Sequence, residues 1–299
     1  ESGRGSQFMR EHFDRKGWYK QDQVLNASEV AKLRKDILDI MKNEYGDYVR
    51  IFTTDRLIKH NELLRQLVNT KIVNCLKQIL GDNYTLVGDM SVQLNSYGSI
   101  SGHGWHIDAG SEELINEDLN DPNYRFVKCG IYLQDNSEEF GGGIQIKQGF
   151  HKLYQMDLFG INKKLKFKIP RIVRRLLRNH YIHTPAIKSG DFLTFHSCLP
   201  HRSAPFNKTS HRNEVRDNFL PIEYTGEDNA KIVIYFNATT NKFVKNHFIS
   251  NLYRVIDEIT NHSNRYTFYN HFKLNKSDFH PEFLKSLVAN DIDLAIFKT

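Results

Sequence analysis

The sequence predicts a mainly β domain with flanking helices, built around a jelly-roll core. Three observations carry this. Short strand-like runs separated by turn residues fill residues 84–240, the pattern of a sandwich or barrel. Apolar residues at helical period occupy the stretches before and after them. A jelly roll also lets residues distant in sequence meet across facing sheets, which the candidate site below requires. With 299 residues, 39% hydrophobic and 12% aromatic, the chain can fill a sizeable core, and its low proline count (7) argues against disorder. One domain is expected over residues 9–299: N-terminal helices (9–83), the core (84–240) with a basic helical insert (156–186), and C-terminal helices (241–299). Residues 1–8 read as an expression scar ahead of Met9.

The elements follow in order. Residues 26–45 place Val30, Leu33, Ile37, Ile40 and Met41 on one helical face, with Ser28 as cap. A second helix is expected over 61–80, ended by Gly81 and Asp82. Residues 85–87 and 91–95 read as two short strands. A glycine-rich loop at 97–104 leads to a strand at 105–108, and a polar loop follows at 109–124. Val127, Cys129, Ile131 and Leu133 alternate as in a half-buried strand, as do Ile144 and Ile146 after Gly141, Gly142 and Gly143. Gly190 and Asp191 turn the chain into a strand at 192–196, and Ile232 to Phe236 is the clearest β-run. Helical aromatic and aliphatic residues return from Val244 to Ile259. A last helix is expected near Ser277, with Pro281 in its first turn and Phe283, Leu284 and Leu287 inward.

The candidate chemistry centres on Trp105-His106-Ile107-Asp108. Residues i and i+2 of a strand project from one face, so a single metal ion can take His106 and Asp108 together. With His201 as the third ligand, this is a 2-His-1-carboxylate triad, which leaves coordination positions open and suits non-haem Fe(II) oxygen chemistry. Among 14 histidines and 35 acids an H-x-D arises by chance, so the surroundings carry the weight. His103 and His196 are rival ligands, while His151 and His211 are expected at the surface. Gln93 and Asn95 share a strand face that can touch a ligand, Tyr132 can line a pocket, and Trp105 is expected to pack.

Charge is uneven. Residues 158–190 contain no acid and nine basic residues, including Arg171, Arg174, Arg175 and Arg178. Pro170 opens a helix there with Ile172, Val173, Leu176 and Leu177 on the opposite face. Such a helix fits a lid over an acidic substrate, with Arg174 and Arg175 as contacts, or peripheral contact with an anionic membrane through 163–178. Cys75, Cys129 and Cys198 are too few and too scattered for a disulfide framework, which points to a reducing cytoplasm. No apolar run has the roughly 18 residues of a membrane span.

These residues together resemble the phytanoyl-CoA dioxygenase-like (PhyH-like) branch of the Fe(II)/2-oxoglutarate-dependent oxygenases. The likeness rests on the W-H-x-D of residues 105–108 and on Ile131 to Asn136 followed by Gly142-Gly143 and Gly149-Phe150-His151-Lys152. It rests also on Gly190-Asp191 leading to His201, and on His201-Arg202-Ser203 with Arg212 eleven residues after the histidine. It covers roughly residues 18–236. Phe150 stands where the family usually has serine. The resemblance implies a double-stranded β-helix of the cupin-like kind, holding Fe(II) on His106, Asp108 and His201. It implies 2-oxoglutarate as co-substrate, with its far carboxylate on Arg212 and Ser203 and with Gln93 and Asn95 nearby. O2 would be consumed, a substrate C–H bond hydroxylated, and succinate and CO2 released. Asp108 keeps the carboxylate that related halogenases lack. The clearest strand begins well after Arg212, so Arg216 and Lys231 also stand as partners for the far carboxylate.

The expected substrate is a small or lipid-linked acidic molecule: an acidic sugar, a glycolipid or an acyl thioester. Two other readings remain open, a cupin-like metal enzyme without 2-oxoglutarate and a non-catalytic jelly-roll module binding anionic glycan or lipid. No nucleic-acid motif, P-loop, G-x-G-x-x-G, G-x-S-x-G or H-E-x-x-H occurs.

Overall fold

The computed structural model describes residues 2–45, 51–95, 105–108, 125–136, 143–152, 181–203, 231–240 and 274–296. In chain order these form α1 (Ser2–Lys16), β1 (Trp18–Gln21), α2 (Ala27–Ile40) with a π-turn (Met41–Tyr45), β2 (Ile51–Thr53), α3 (Thr54–Leu57), α4 (Asn61–Gln66) and α5 (Thr70–Leu80). There follow β3 (Thr85–Asn95), β4 (Phe126–Tyr132), β5 (Ile144–Lys147), β6 (Ile182–His183), β7 (Phe192–His196), β8 (His201–Ser203), β9 (Lys231–Thr239), α6 (Pro281–Ala289) and β10 (Asp293–Ala295).

The larger sheet runs β1-β7-β4-β9-β3-β10, with β2 on the upper part of the same β3 edge that β10 pairs lower down. The smaller sheet runs β6-β5-β8. The two-residue period of the large sheet divides the core. Val127, Cys129 and Ile131 of β4, Ile232, Ile234 and Phe236 of β9, and Leu86, Met90, Val92 and Leu94 of β3 face the helices. There they meet Val30, Leu33 and Ile37 of α2 and Ile72, Cys75, Leu76 and Ile79 of α5. The opposite face presents Tyr132, Leu193, Phe195 and Val233 to Ile144 and Ile146 of the small sheet. The half-buried strand expected at β4 is therefore covered on both sides. Two facing sheets under a helical layer are the expected jelly roll.

Several boundaries differ from expectation for local reasons. Asn26, not Ser28, caps α2: its side chain accepts from the Ser28 and Glu29 amides (both 3.0 Å), and Glu29 reaches back to the Asn26 amide (2.7 Å), a capping box. The helix expected over 61–80 is two, because Asn69 caps α5 through the Lys71 amide (2.9 Å). The two strands expected at 85–95 are one strand with a bulge between Val87 and Ser91. Thr54 supports the bulge: Oγ1 accepts from the Met90 amide (2.9 Å) and donates to the Gly88 carbonyl (2.8 Å). The last helix begins at Pro281 rather than near Ser277, with Phe283 and Leu287 buried and Leu284 partly so.

Helix α1 runs through the segment set aside as a scar. Arg125 holds its Asp14 with a two-pronged ion pair (2.9 and 3.0 Å), and His151 Nε2 donates to the Asp14 carbonyl (3.2 Å). His151 is thus buried, correcting its expected surface position. Burial lowers its pKa from 6.5 to about 4. The unfolded chain takes up this proton below pH 6.5 and the folded one only near 4, so stability is complete above 6.5 and falls as pH drops through that window. Wild type is expected to lose about 3 kcal/mol more than His151→Gln between pH 7 and pH 4, measured by urea denaturation across pH. Equal losses would show that the imidazole is not the sensor.

No helix among the described residues is long and apolar enough to cross a membrane. The loops expected at 97–104 and 109–124, all but the last residue of the helix expected at 170–181, and the helical run expected from 244 to 259 lie outside the described residues.

Candidate metal centre

His106, Asp108 and His201 come together at one edge of the space between the two sheets. His201 opens β8, which pairs with Ile146 of β5. Residues 105–108 are not the regular strand the sequence implies. His106 instead forms an isolated antiparallel bridge with His201, their amides and carbonyls exchanging bonds of 3.1 and 2.9 Å. The Asp108 amide then donates to the Ser197 carbonyl (2.9 Å). This stitching carries out what the H-x-D spacing promises, turning both side chains the same way.

The ligand atoms of the three residues lie within 4.8 Å of one another. His201 Nε2 is 3.5 Å from Asp108 Oδ2, and His106 Nε2 is 4.0 Å from Asp108 Oδ1. Neighbouring ligands at about 2.1 Å from one ion sit about 3 Å apart, a small side-chain adjustment away. The donor set fits a divalent metal in three further respects. His201 Nδ1 faces the Leu199 carbonyl (2.9 Å); donating there leaves the Nε2 lone pair for a metal. Burial, outweighing the pull of Asp108, lowers the His201 pKa and favours the neutral ring. Asp108 Oδ2 is sealed from solvent without a well-directed hydrogen bond. The His201 ring is buried against Phe195, with centroids 4.7 Å apart, and the His106 ring beside it (4.3 Å) is exposed. The cluster therefore has a packed wall and an open side.

A fourth residue belongs here that the sequence reading missed. Lys128 of β4 places Nζ 3.2 Å from Asp108 Oδ2 and 5.7 Å from the Tyr235 ring centroid. Burial alone would raise the Asp108 carboxyl pKa, but Lys128 first, then His201 and His106, hold it below the usual carboxylate range. In return Asp108, with Asp89 and Tyr235, outweighs the burial of Lys128 and keeps its ammonium charged. The available signal was a lysine between Val127 and Cys129 in a strand whose neighbouring inner positions, Gly130 and Tyr132, are both buried.

The other candidates fall as follows. His196 is not a ligand: it lies on the helix-facing side of β7, its Nδ1 accepting from the Cys198 amide (3.1 Å) and its ring near Phe13 and His151. Gln93 lies opposite Val233 across the ladder, hence on the inner face, and Asn95 ends β3 opposite Lys231. Ser203 ends β8, paired with Ile144. Tyr132 is buried on the inner face, edge-on to Tyr235 with centroids 6.4 Å apart. Trp105 packs, as expected, but between cations: Lys147 Nζ and the Arg202 guanidinium lie 4.6 and 4.8 Å from its ring centroid. His103, Arg174, Arg175, His211, Arg212 and Arg216 lie outside the described residues.

No protein-family model matches the sequence, and no curated protein matches it. Solved structures do match. The non-heme α-ketoglutarate-dependent epimerase SnoN from nogalamycin biosynthesis superposes with a TM-score of 0.52 at 14% identity, over 80% of this chain and 84% of that one. EvdMO1 gives 0.52 at 15% identity, over 79% of this chain and 50% of that one. EctD from S. alaskensis gives 0.50 at 17% identity, over 80% and 77%. At these identities the likeness is one of fold: the chain has the double-stranded β-helix of these structures.

Proposed function

We propose that this chain is an Fe(II)- and 2-oxoglutarate-dependent dioxygenase that hydroxylates a C–H bond of a small acidic substrate. The observation that carries the reading is the convergence of His106, Asp108 and His201, with ligand atoms within 4.8 Å, inside this fold. When bound, the iron and its keto-acid co-substrate supply the oxidising chemistry, with O2 as oxidant and succinate and CO2 as co-products. The chain's own residues do the rest. His106 and His201 offer imidazole nitrogens, the Leu199 carbonyl fixes the His201 tautomer, and Asp108 supplies the one negative charge. Leu193, Phe195 and Val233 exclude water from the inner wall.

The far carboxylate of the co-substrate needs a cation. Arg212 and Ser203 take that role by resemblance, and Lys231 has a physical argument of its own. It opens β9 on the same face as Val233 and Tyr235, opposite Asn95. Burial pushes its ammonium down to about 8, and a carboxylate beside it would restore the charged form. Asn95 pairs with that position across the ladder, and Gln93 and Tyr132 pair with Val233 from either side. Arg174 and Arg175 of the basic segment would contact an acidic sugar, glycolipid or acyl thioester, or residues 163–178 an anionic membrane.

The test is anaerobic. Fe(II) and then 2-oxoglutarate are added to metal-free protein, and a weak visible charge-transfer band that saturates with 2-oxoglutarate is expected. Iron uptake without that band would sink the 2-oxoglutarate reading and leave a cupin-like metal enzyme. Failure to take up any divalent metal would leave a binding module.

A further inference from the structure

Lys128 is an unusual neighbour for a metal-ligating carboxylate. Its Cβ sits mid-sheet, between Phe195 of β7 and Asn237 of β9, so the side chain projects into the space between the sheets. A ligating carboxylate needs only a neutral donor to orient it, and a backbone amide or a water serves. An ammonium held 3.2 Å from Asp108 Oδ2 does more, because it adds a full positive charge beside the place where a divalent cation binds.

The charges can be summed. A divalent metal, the Asp108 carboxylate, two neutral imidazoles and Lys128 leave two positives among themselves, and the Asp89 carboxylate that also acts on Lys128 lowers this to one in a half-buried site. Like charges this close oppose one another strongly where water is scarce. A dianionic chelator brings the sum to one negative. Without Lys128 the metal alone would leave no net charge, and the same dianion would take the site to two negatives.

We infer that Lys128 is a positioning residue that couples the two ligands: it disfavours the metal alone and favours the metal together with a dianionic keto acid. The inference rests on the proposed function and deepens it. Through linkage, each ligand then raises the affinity for the other by the same factor. The aromatic wall serves this end: the Tyr235 ring centroid lies 5.7 Å from the ammonium and holds it without neutralising it. A lysine that merely props up Asp108 would have the opposite signature, since its loss would weaken the metal site.

The experiment uses Mn(II) as a redox-silent probe, with affinities measured by calorimetry on the full chain, with and without 2-oxoglutarate. Wild type is compared with Lys128→Met, which keeps the volume, and Lys128→Arg, which keeps the charge; Lys128→Gln is the second neutral variant should methionine not be accommodated. Thermal melts establish that each is folded. The neutral variant is expected to bind Mn(II) alone roughly tenfold more tightly, and 2-oxoglutarate on the Mn(II)-loaded protein roughly tenfold more weakly. Arginine should restore both values. Weaker Mn(II) binding by the neutral variant, or unchanged 2-oxoglutarate affinity, would overturn the coupling while leaving the proposed function intact. A wild-type chain that takes up no Mn(II) would overturn both.

Discussion

Replacing His201 with alanine is expected to weaken divalent-metal binding by at least about 100-fold, because it removes a ligand outright, whereas loss of an outer-shell partner already costs about 10- to 100-fold. The protein should stay folded. The backbone exchange between residues 106 and 201 uses amides and carbonyls that alanine keeps, and Ile146 still has its partner strand. What is lost is the ring packed on Phe195, a stability cost of about 1–3 kcal/mol. Metal uptake by calorimetry beside a thermal melt separates the two effects. A variant that melts lower but binds Mn(II) as tightly as wild type would remove His201 from the triad and reopen the case for His103.

The largest effect on stability is expected from Gly190→Ala. Gly190 has φ +87, and a Cβ there would meet the Leu25 carbonyl oxygen at 2.3 Å. The left-handed backbone alone costs an alanine about 1–2 kcal/mol; the clash adds to it because the obstacle is backbone. That backbone is anchored. The Leu25 amide donates to the Gly190 carbonyl (3.2 Å), and buried Asp191 accepts from the Lys188 and Gln23 amides (2.8 and 3.0 Å). Loss of about 3–5 kcal/mol, or insoluble protein, is expected. Gly81→Ala is the control: its φ is +104, yet nothing lies within 4 Å of its Cβ position, so it should show the conformational cost alone. Equal urea midpoints for the two variants would mean that the Leu25 segment yields freely.

The candidate centre was legible because metal chemistry restricts residue types. Few side chains ligate a metal, and an H-x-D next to Trp105, with a histidine after the Gly190 strand, is a narrow pattern. The strands were legible where alternation is strong, as in Ile232 to Phe236. Lys128 was missed because alternation names one face of β4 and leaves the other unread; only the small sheet packed above turns that second face into an interior. His196 and His151 are ambiguous for the same reason, since a histidine in sequence does not say which layer it enters. The bulge in β3 was read as a turn because Gly88 and Asp89 are turn residues, while the hydroxyl that sustains it comes from Thr54, remote in sequence. Strands β1 and β10 were not foreseen, as each is defined by its partner rather than by its own four or three residues.

The sheet order bears on how the chain is made. Thr85 pairs with Thr239, and Trp18 with Phe195, so the large sheet is closed by partners from opposite ends of the core. Such pairings are slow to form, because a long loop must close before any contact rewards it. On a ribosome delivering about 5–20 residues per second, β3 waits several seconds for β9, and His106 waits for His201. Until then β3 and β4 lack the strand that joins their edges. Metal cannot nucleate this fold early, since its three ligands are not in one place until the sheets are nearly built; it can only lock a roll that has already closed.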